Sequence, residues 1–258
     1  MADTWKAAIL GLVQGLTEFL PISSSAHLLA LRKVMGFEVE GLAFDLSVHL
    51  ATLLAVLIYF RREIRSIAQD DRRWMILLRL ALATLPIVIV GFVFKRAREN
   101  LPDWAPVAGW LVSGTYLSFL SGGRVRGVAY ADAPLRSGLL IGIAQALAVF
   151  PGISRSGSTI TAALWLGFSR DDAAKFSFLL SIIAVALAVG DKAKDLAGSP
   201  GEHAGLWASA GIAVPVAFFT GLFAIHLLLR VVRGNVFHRF GWYNYLAAGA
   251  FLLYLLNH

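Results

Sequence analysis

Long apolar segments alternate with short polar segments along the chain. An α-helix rises 1.5 Å per residue, so roughly 20 apolar residues cross the hydrocarbon layer of a bilayer. Six segments are predicted to span it: residues 42–60, 74–94, 106–120, 174–189, 204–229 and 242–256. The pattern predicts an all-α integral membrane protein in which residues 1–258 form a single membrane domain.

The sequence also contains an internal duplication. Residues 11–25 align without gaps with residues 142–156, with Gly, Gln, Leu, Phe, Ile and two Ser identical. Both copies consist of a short apolar helix, a proline break and the hydroxyl-rich start of a second helix. We therefore divide the domain into a first repeat, residues 1–131, and a second repeat, residues 132–258.

Each copy begins with two arms that are too short to span the bilayer: residues 6–20 with 23–31, and residues 135–150 with 154–166. Backbone exposed at the breaks is tolerable at membrane depth only where protein or a water-filled cavity surrounds it, as in a re-entrant hairpin. Three predicted spans, an odd number, separate the hairpins, so the second hairpin enters from the opposite face. The predicted fold class is an inverted-topology repeat, each half a re-entrant helix hairpin plus three transmembrane helices.

Composition excludes an ordinary cytosolic globular protein, because 58% of the 258 residues are hydrophobic and only 15% are charged. The absence of cysteine excludes disulfides, iron–sulfur clusters and thiolate metal ligands.

The net charge of +7 fits the positive-inside rule better than a nucleic-acid partner, since the basic residues lie in short loops. Loops on one side hold 13 Lys and Arg residues, Arg124 among them, against 8 on the other. Both termini are therefore predicted on the non-cytoplasmic side, and no nucleic acid is expected to bind.

The two breaks are predicted to form one anion-binding site. Residues 23–25 are all serine and residues 154–156 read Ser-Arg-Ser, and each triplet begins a helix, where unpaired N–H groups carry a partial positive charge. Hydroxyls, helix-start amides and a guanidinium suit a phosphate or diphosphate group. The serines could instead be simple helix N-caps. Arg155 requires an anionic partner or a function, because a guanidinium at membrane depth costs about 3 kcal/mol.

Titratable side chains accompany the first break. Glu18 lies one helical turn after Gln14, and its carboxylate could bind a metal or orient a base. His27 follows Ser24 by three positions, which predicts an imidazole beside that hydroxyl and suits a general base. The alternative is an ion pair of Glu18 with His27 or Arg155 that only neutralises buried charge.

Other polar and small residues are predicted to serve packing. Interhelical hydrogen bonds are expected from Asp45, His49 and His226. Residues 11 and 15, and residues 138 and 142, are glycines four positions apart, which predicts close helix–helix approach within the fold.

Residues 14–27, QGLTEFLPISSSAH, and residues 151–159, PGISRSGST, resemble the two signature motifs of the bacterial undecaprenyl pyrophosphate phosphatase family, which is linked to bacitracin resistance. The resemblance implies a multi-pass enzyme of the bacterial inner membrane that hydrolyses undecaprenyl diphosphate to undecaprenyl phosphate and inorganic phosphate. Such an enzyme recycles the lipid carrier for cell-wall synthesis, and its implied substrate is a polyprenyl diphosphate lipid. One departure is Gln14, where many members carry Glu, which weakens the case for a metal held by two carboxylates.

The resulting hypothesis assigns each motif residue a role. Arg155 holds the terminal phosphoryl group, Ser24 is the nucleophile with His27 as its base, and Glu18 orients His27 or shares a divalent cation, Mg²⁺ or Ca²⁺. The predicted phosphate-binding residues are Gln14, Ser23, Ser25, Ser154, Ser156 and Thr159. The sequence leaves open whether water attacks the phosphorus directly in place of Ser24. It also leaves open whether the protein forms a homodimer. A polyprenyl-phosphate transporter or flippase with the same anion site is the alternative function, since inverted repeats with broken helices also build secondary transporters.

Overall fold

The computed structural model describes residues 4–36, 41–120, 126–197 and 206–258. Arg124 and the first two residues of the predicted span 204–229 lie outside these ranges. Within them the chain forms α-helices joined by short turns, with one isolated parallel bridge between Val128 and Phe168. The helices are α1 (Thr4–Phe19), α2 (Ser24–Met35), α3 (Gly41–Tyr59), α4 (Arg61–Gln69), α5 (Arg73–Glu99), α6 (Ala105–Leu120), α7 (Leu135–Ala146), α8 (Arg155–Trp165), α9 (Arg170–Ala197), α10 (Leu206–Arg233) and α11 (Phe240–Asn257).

All six predicted spans form helices in the residues described. Three of these helices are long and apolar enough to cross a membrane alone, namely α5, α9 and α10, over Arg73–Lys95, Arg170–Leu196 and Ala210–Arg233. A fourth span is possible by length and composition if α3 and α4, bent by 58° at their junction, act together. The 16 residues of α6 reach only about 24 Å. The chain is thus a helical, multi-pass membrane protein with spans of unequal length.

The segment Arg61–Gln69, which we expected to be a loop, forms α4. Ile64 and Ile67 are three residues apart and lie on one face of this short helix, and Ile67 is buried. The remaining residues are mostly charged or polar, so α4 is strongly amphipathic. The apolar stripe of α4 is only two residues long, which is too short for the sequence pattern to predict a helix.

Two helix pairs approach unusually closely. α1 packs along α10, and α7 packs along α5. A Cβ atom on Gly11 would lie 2.5 Å from the carbonyl oxygen of Ala213 in α10, and one on Gly142 would lie 2.7 Å from that of Ala83 in α5. These contacts confirm that the spaced glycines serve close packing within the fold.

Replacing Gly11 with alanine is expected to destabilise the protein by about 1 to 3 kcal/mol, because backbone atoms of α10 occupy the space that the methyl group needs. Thermal unfolding of the purified protein in detergent measures the effect. The matched control is Gly249→Ala in α11, where nothing lies within 4 Å of the added atom. This control should be neutral or stabilised by up to about 1 kcal/mol, since alanine favours helix. Equal unfolding temperatures for both variants would contradict the close packing of α1 and α10.

Candidate active site

The first helix break, between α1 and α2, is held by side chains from α6 and α11. Trp110 in α6 donates from Nε1 to the carbonyl oxygen of Ile22 at 2.9 Å. Asn244 in α11 donates from Nδ2 to that of Pro21 at 3.0 Å. Ser23 adopts a φ of 66°, which is rare for a residue other than glycine. Protein groups therefore satisfy the backbone of this buried break, as a low-dielectric setting requires.

The second break, between α7 and α8, is fixed by α6 in the same way. The Ser113 hydroxyl donates to the carbonyl oxygen of Gly152 at 2.9 Å and accepts from the N–H of Ser154 at 3.0 Å. The Tyr116 hydroxyl donates to the carbonyl oxygen of Ser154 at 3.0 Å. The N–H of Gly152 donates to the Ser23 hydroxyl at 3.2 Å. This last bond joins the two breaks directly.

A carboxylate and a guanidinium meet where the breaks join. Arg155 Nη2 donates to Glu18 Oε1 at 2.7 Å, and these side chains are only 15% and 8% exposed. The other carboxylate oxygen, Glu18 Oε2, accepts from the Ser24 hydroxyl at 2.6 Å and from Gln14 Nε2 at 3.1 Å. Glu18 therefore links the guanidinium from the second motif to the hydroxyl of the first.

A cavity of about 180 Å³ opens onto this cluster. Glu18, Ser24 and Arg155 form part of its polar wall, and Ser23, Ser25 and Ser154 also line it. Its apolar lining includes Ile87 in α5 and Ala184, Val185 and Ala188 in α9. The cavity lining thus combines hydroxyl and charged groups with hydrocarbon side chains.

The other three predicted phosphate-binding residues, Gln14, Ser156 and Thr159, do not line the cavity. Gln14 is fully buried and bonds to Glu18. The Thr159 hydroxyl donates to the carbonyl oxygen of Arg155 at 2.8 Å and pairs with the Ser177 hydroxyl at 2.7 Å. Ser156 lies with its hydroxyl 3.3 Å from that of Ser154. The Ser156 and Thr159 hydroxyls bond to protein groups, so we expect them to support the wall, whereas Gln14 Oε1 has no partner among the described residues.

Only some of the serines act as helix caps. The Ser154 hydroxyl accepts from the N–H of Gly157 at 3.2 Å and caps α8. Ser23, which precedes α2, makes no such bond and accepts from Gly152 instead. The Ser24 hydroxyl points to Glu18. Simple capping therefore does not account for the serines of the first motif.

His27 does not make the predicted contact with Ser24. Its Nδ1 lies 2.8 Å from the carbonyl oxygen of Ser23, and its Nε2 lies 2.9 Å from the Tyr243 hydroxyl. The ring also stacks on Tyr243 and meets Trp110 edge-on, with centroids 5.7 and 5.0 Å away. The spacing along α2 correctly predicted that His27 lies close to Ser24 on the helix. Its imidazole, however, points toward α6 and α11 and not toward the Ser24 hydroxyl. Glu18 occupies the position beside the Ser24 hydroxyl that we predicted for His27.

His49 lines the cavity, and the interhelical hydrogen bond that we predicted for it is not formed. Its Nδ1 lies 2.7 Å from the carbonyl oxygen of Asp45, one turn earlier in α3. Its Nε2 has no hydrogen-bond partner among the residues that the structure describes. The signal in the sequence is a pair of ionisable residues, Asp45 and His49, within a predicted span.

The other two predicted interhelical contacts are confirmed. Asp45 pairs with Arg32 in α2 and accepts from Lys192 Nζ in α9 at 3.0 Å. His226 in α10 lies 3.4 Å from the hydroxyl of Tyr59 in α3. Among the described residues, no group of three or more His, Asp or Glu is placed to hold a metal ion by itself.

The helices and the buried cluster define a polytopic membrane protein in which a carboxylate–guanidinium pair lies where two helix breaks meet. Residues 7–250 match the family described as "Bacitracin resistance protein BacA", and the chain belongs to this family. It is 40% identical to "Undecaprenyl-diphosphatase" of Geobacter sulfurreducens, with 98% of each chain covered. It is 43% identical to "Undecaprenyl-diphosphatase" of Alcanivorax borkumensis, with 89% of this chain and 92% of that protein covered.

Proposed function

We propose that this protein is an undecaprenyl-diphosphatase of the bacterial inner membrane, which hydrolyses undecaprenyl diphosphate to undecaprenyl phosphate and inorganic phosphate. The observation that supports this function most directly is the hydrogen-bonded network of Arg155, Glu18 and Ser24, which links both sequence motifs in a member of this family. The product is the lipid carrier in the form that cell-wall synthesis reuses. The names of the relatives give no support to the transporter alternative.

Arg155 and Glu18 provide the charge balance that phosphoryl transfer needs. Arg155 presents a planar guanidinium to the cavity and can hold two oxygens of the terminal phosphoryl group. In the transition state, negative charge spreads over the phosphoryl oxygens. The guanidinium stabilises this charge and so lowers the activation barrier. Glu18 holds this guanidinium in place through a 2.7 Å bond. When substrate arrives, phosphoryl oxygens compete for the same N–H groups.

Ser24 is the nucleophile in the route that the geometry favours. Its hydroxyl donates to Glu18 Oε2 at 2.6 Å, so the carboxylate can accept the proton as oxygen attacks the terminal phosphorus. The bond from that phosphorus to the bridging oxygen breaks, and undecaprenyl phosphate leaves. Water then hydrolyses the phosphoserine, which releases inorganic phosphate and restores the hydroxyl.

Direct attack by water, with Ser24 as a ligand only, is the second route. Rapid quenching of the enzyme with substrate labelled in its terminal phosphate separates the two. The serine route places label on Ser24 before phosphate is released. The water route leaves the protein unlabelled at every time point.

His27 has a positioning role in this proposal. Its bond to the Ser23 carbonyl and its contact with Tyr243 hold the turn from which Ser24 projects. His27→Gln is expected to lower kcat by about tenfold while KM and the shape of the pH profile stay unchanged, because misplacing a reacting group lowers the rate. The matched control is His226→Gln, outside the cavity, which should retain full activity. Loss of the acid limb of the profile in His27→Gln would instead make His27 the base.

A divalent cation fits the residues present if the substrate completes its coordination. Glu18 supplies a carboxylate, and Gln14 Oε1 is buried with no hydrogen-bond partner among the residues described. Mg²⁺ is often held by one or two carboxylates together with substrate phosphates. Glu18 and Gln14 would therefore hold Mg²⁺ or Ca²⁺ through oxygen, and the cation would offset charge on the diphosphate.

An apolar groove of the protein beside the cavity is suited to the polyprenyl tail of the substrate. This groove, of about 360 Å³, lies between α5 and α9 and includes Leu80, Thr84, Val88 and Ile183. Ile87 and Ala184, which neighbour Val88 and Ile183 in sequence, line the cavity itself. A diphosphate in the cavity could therefore extend its isoprenoid chain along this groove.

An inverted repeat with two re-entrant hairpins accounts for the arrangement of the helices. α1 packs along α10 and α7 along α5, two pairs that an axis in the membrane plane would exchange. The contact between Gly152 and Ser23 supports a meeting of two oppositely inserted hairpins. The loop charges place both termini on the non-cytoplasmic side in this proposal.

Phosphate release by the purified full chain in detergent tests the function. Undecaprenyl diphosphate is expected to yield inorganic phosphate, and Arg155→Ala protein, which lacks the phosphoryl-binding guanidinium in both routes, is the control for contaminating phosphatases. Lack of phosphate release by folded protein, with or without added Mg²⁺ or Ca²⁺, would refute the proposed hydrolysis.

A further inference from the structure

A second polar cavity, of about 420 Å³, lies away from the candidate active site. The junction of α3 and α4, the first turns of α9 and the last turns of α10 enclose it. On α3, Tyr59 in this cavity follows His49 of the active-site cavity by ten residues, which is about 15 Å along the helix. The second cavity therefore lies at one end of the helix bundle, whereas the first lies near mid-helix.

Two of the four Lys and Arg residues lining this second cavity are neutralised by carboxylates. Lys175 Nζ lies 3.3 Å from Glu63 Oε2 and 3.3 Å from Asp171 Oδ2. Arg233 donates from Nε to Asp171 Oδ1 at 2.8 Å. These two cations and two anions balance one another.

The other two basic residues, Arg62 and Arg230, form no ion pair within the described part of the chain. Arg230 Nη2 lies 3.2 Å from His226 Nε2, a partner that carries no negative charge. Arg62 lines the cavity and is exposed. The cavity thus has an excess of two guanidinium charges, which favours a ligand with negative charge.

An apolar surface leads from the helix face into this cavity. Phe219 and Phe223 of α10 are 66% and 58% exposed, and they lie on the same face as His226 and Arg230 at spacings of three and four residues. Phe60 and Leu229 contribute apolar surface to the cavity itself. Exposed apolar side chains and the Arg230 guanidinium therefore lie on the same face of α10, as binding of a phospholipid by its acyl chains and its headgroup requires.

We propose that this cavity binds the headgroup phosphate of an anionic phospholipid, with acyl chains along the exposed face of α10. Basic pockets between membrane helices bind anionic headgroups in this way. Positive-inside counting places this end of the bundle in the cytoplasmic leaflet. The site is separate from the proposed catalytic chemistry and does not depend on it.

Lipid retention by the purified full chain, measured by native mass spectrometry during titration with phosphatidylglycerol, tests the site. Each guanidinium near the headgroup contributes about fivefold, so Arg230→Gln should weaken retention about fivefold and Arg62→Gln/Arg230→Gln about thirtyfold. The matched control is Arg61→Gln, since Arg61 donates to the carbonyl oxygen of Ile58 and does not line the cavity. This control should bind as the unmodified protein does, and phosphate release should stay within about twofold in all variants.

Three comparisons can overturn the proposal. Phosphatidylcholine with the same acyl chains should be retained much more weakly than phosphatidylglycerol, and equal retention would remove the role of charge. Glycerol 1-phosphate should not displace the lipid at equal concentration, and displacement would make this a site for soluble phosphates. A loss in Arg61→Gln as large as in Arg230→Gln would show general surface attraction only. Arg230 is exposed, so its variant tests the site even if the double variant fails to fold.

Discussion

Replacing Arg155 with alanine is expected to lower the rate of phosphate release at least about a thousandfold. Removal of one donor to a developing oxyanion costs about a hundredfold to a thousandfold in other enzymes, and Arg155 can supply two N–H groups together with a full charge. The loss should fall on kcat more than on KM, because the guanidinium contributes most when charge spreads over the transferring phosphoryl group. Steady-state kinetics with undecaprenyl diphosphate in detergent measures both constants.

The same substitution leaves Glu18 without its cation, so stability must be separated from catalysis. A buried charge that loses its partner costs about 3 kcal/mol or more, and Glu18 is only 8% exposed. Arg155→Ala/Glu18→Gln removes the unpaired charge and should recover much of the lost stability while remaining inactive. Arg155→Lys retains the positive charge but loses the planar guanidinium that donates two parallel hydrogen bonds. This variant should keep a small part of the activity. Full turnover by folded Arg155→Ala protein would disprove its assigned role.

Glu18→Gln is expected to lower phosphate release by about a hundredfold to ten-thousandfold. The amide matches the carboxylate in shape but accepts protons poorly, so Ser24 loses the group that takes its proton. It also leaves Arg155 without a balancing negative charge. Single-turnover measurements at saturating substrate report the chemical step directly.

Glu63→Gln is the matched control for that experiment. Glu63 also forms an ion pair, with Lys175 at 3.3 Å, but it lies in the second cavity and outside the catalytic network. The control should therefore retain activity within about twofold. If Glu18→Gln protein formed phosphoserine at the original rate, another group would have to accept the Ser24 proton.

Much of the fold was predictable because apolar length and spaced glycines constrain helices strongly. The six predicted spans are all helical, and α1 and α7 approach their neighbours through the glycines singled out in the sequence. The breaks were also visible, since proline interrupts both copies within one aligned position and serines follow it at matching positions. α4 was not predicted, because two isoleucines among charged residues give little periodic signal.

The sequence predicted which residues form the site better than it predicted the hydrogen bonds between them. Duplication and an odd number of spans led to the expectation that Arg155 lies beside the first motif, and Arg155 contacts Glu18. The direction of the His27 imidazole was not predictable, because it depends on Tyr243, which is 216 residues further along the chain. His49 was missed for a similar reason. Its exposure to the cavity depends on how α3 packs against the two breaks.

The central claim is that the diphosphate binds where the two breaks meet. An experimental structure with a non-hydrolysable undecaprenyl diphosphate, bridged by methylene in place of oxygen, tests it most directly. We predict the terminal phosphorus within about 3.5 Å of Ser24 Oγ, and Arg155 N–H groups about 2.8 Å from its oxygens. A diphosphate bound elsewhere, with the Arg155–Glu18 pair undisturbed, would contradict the account.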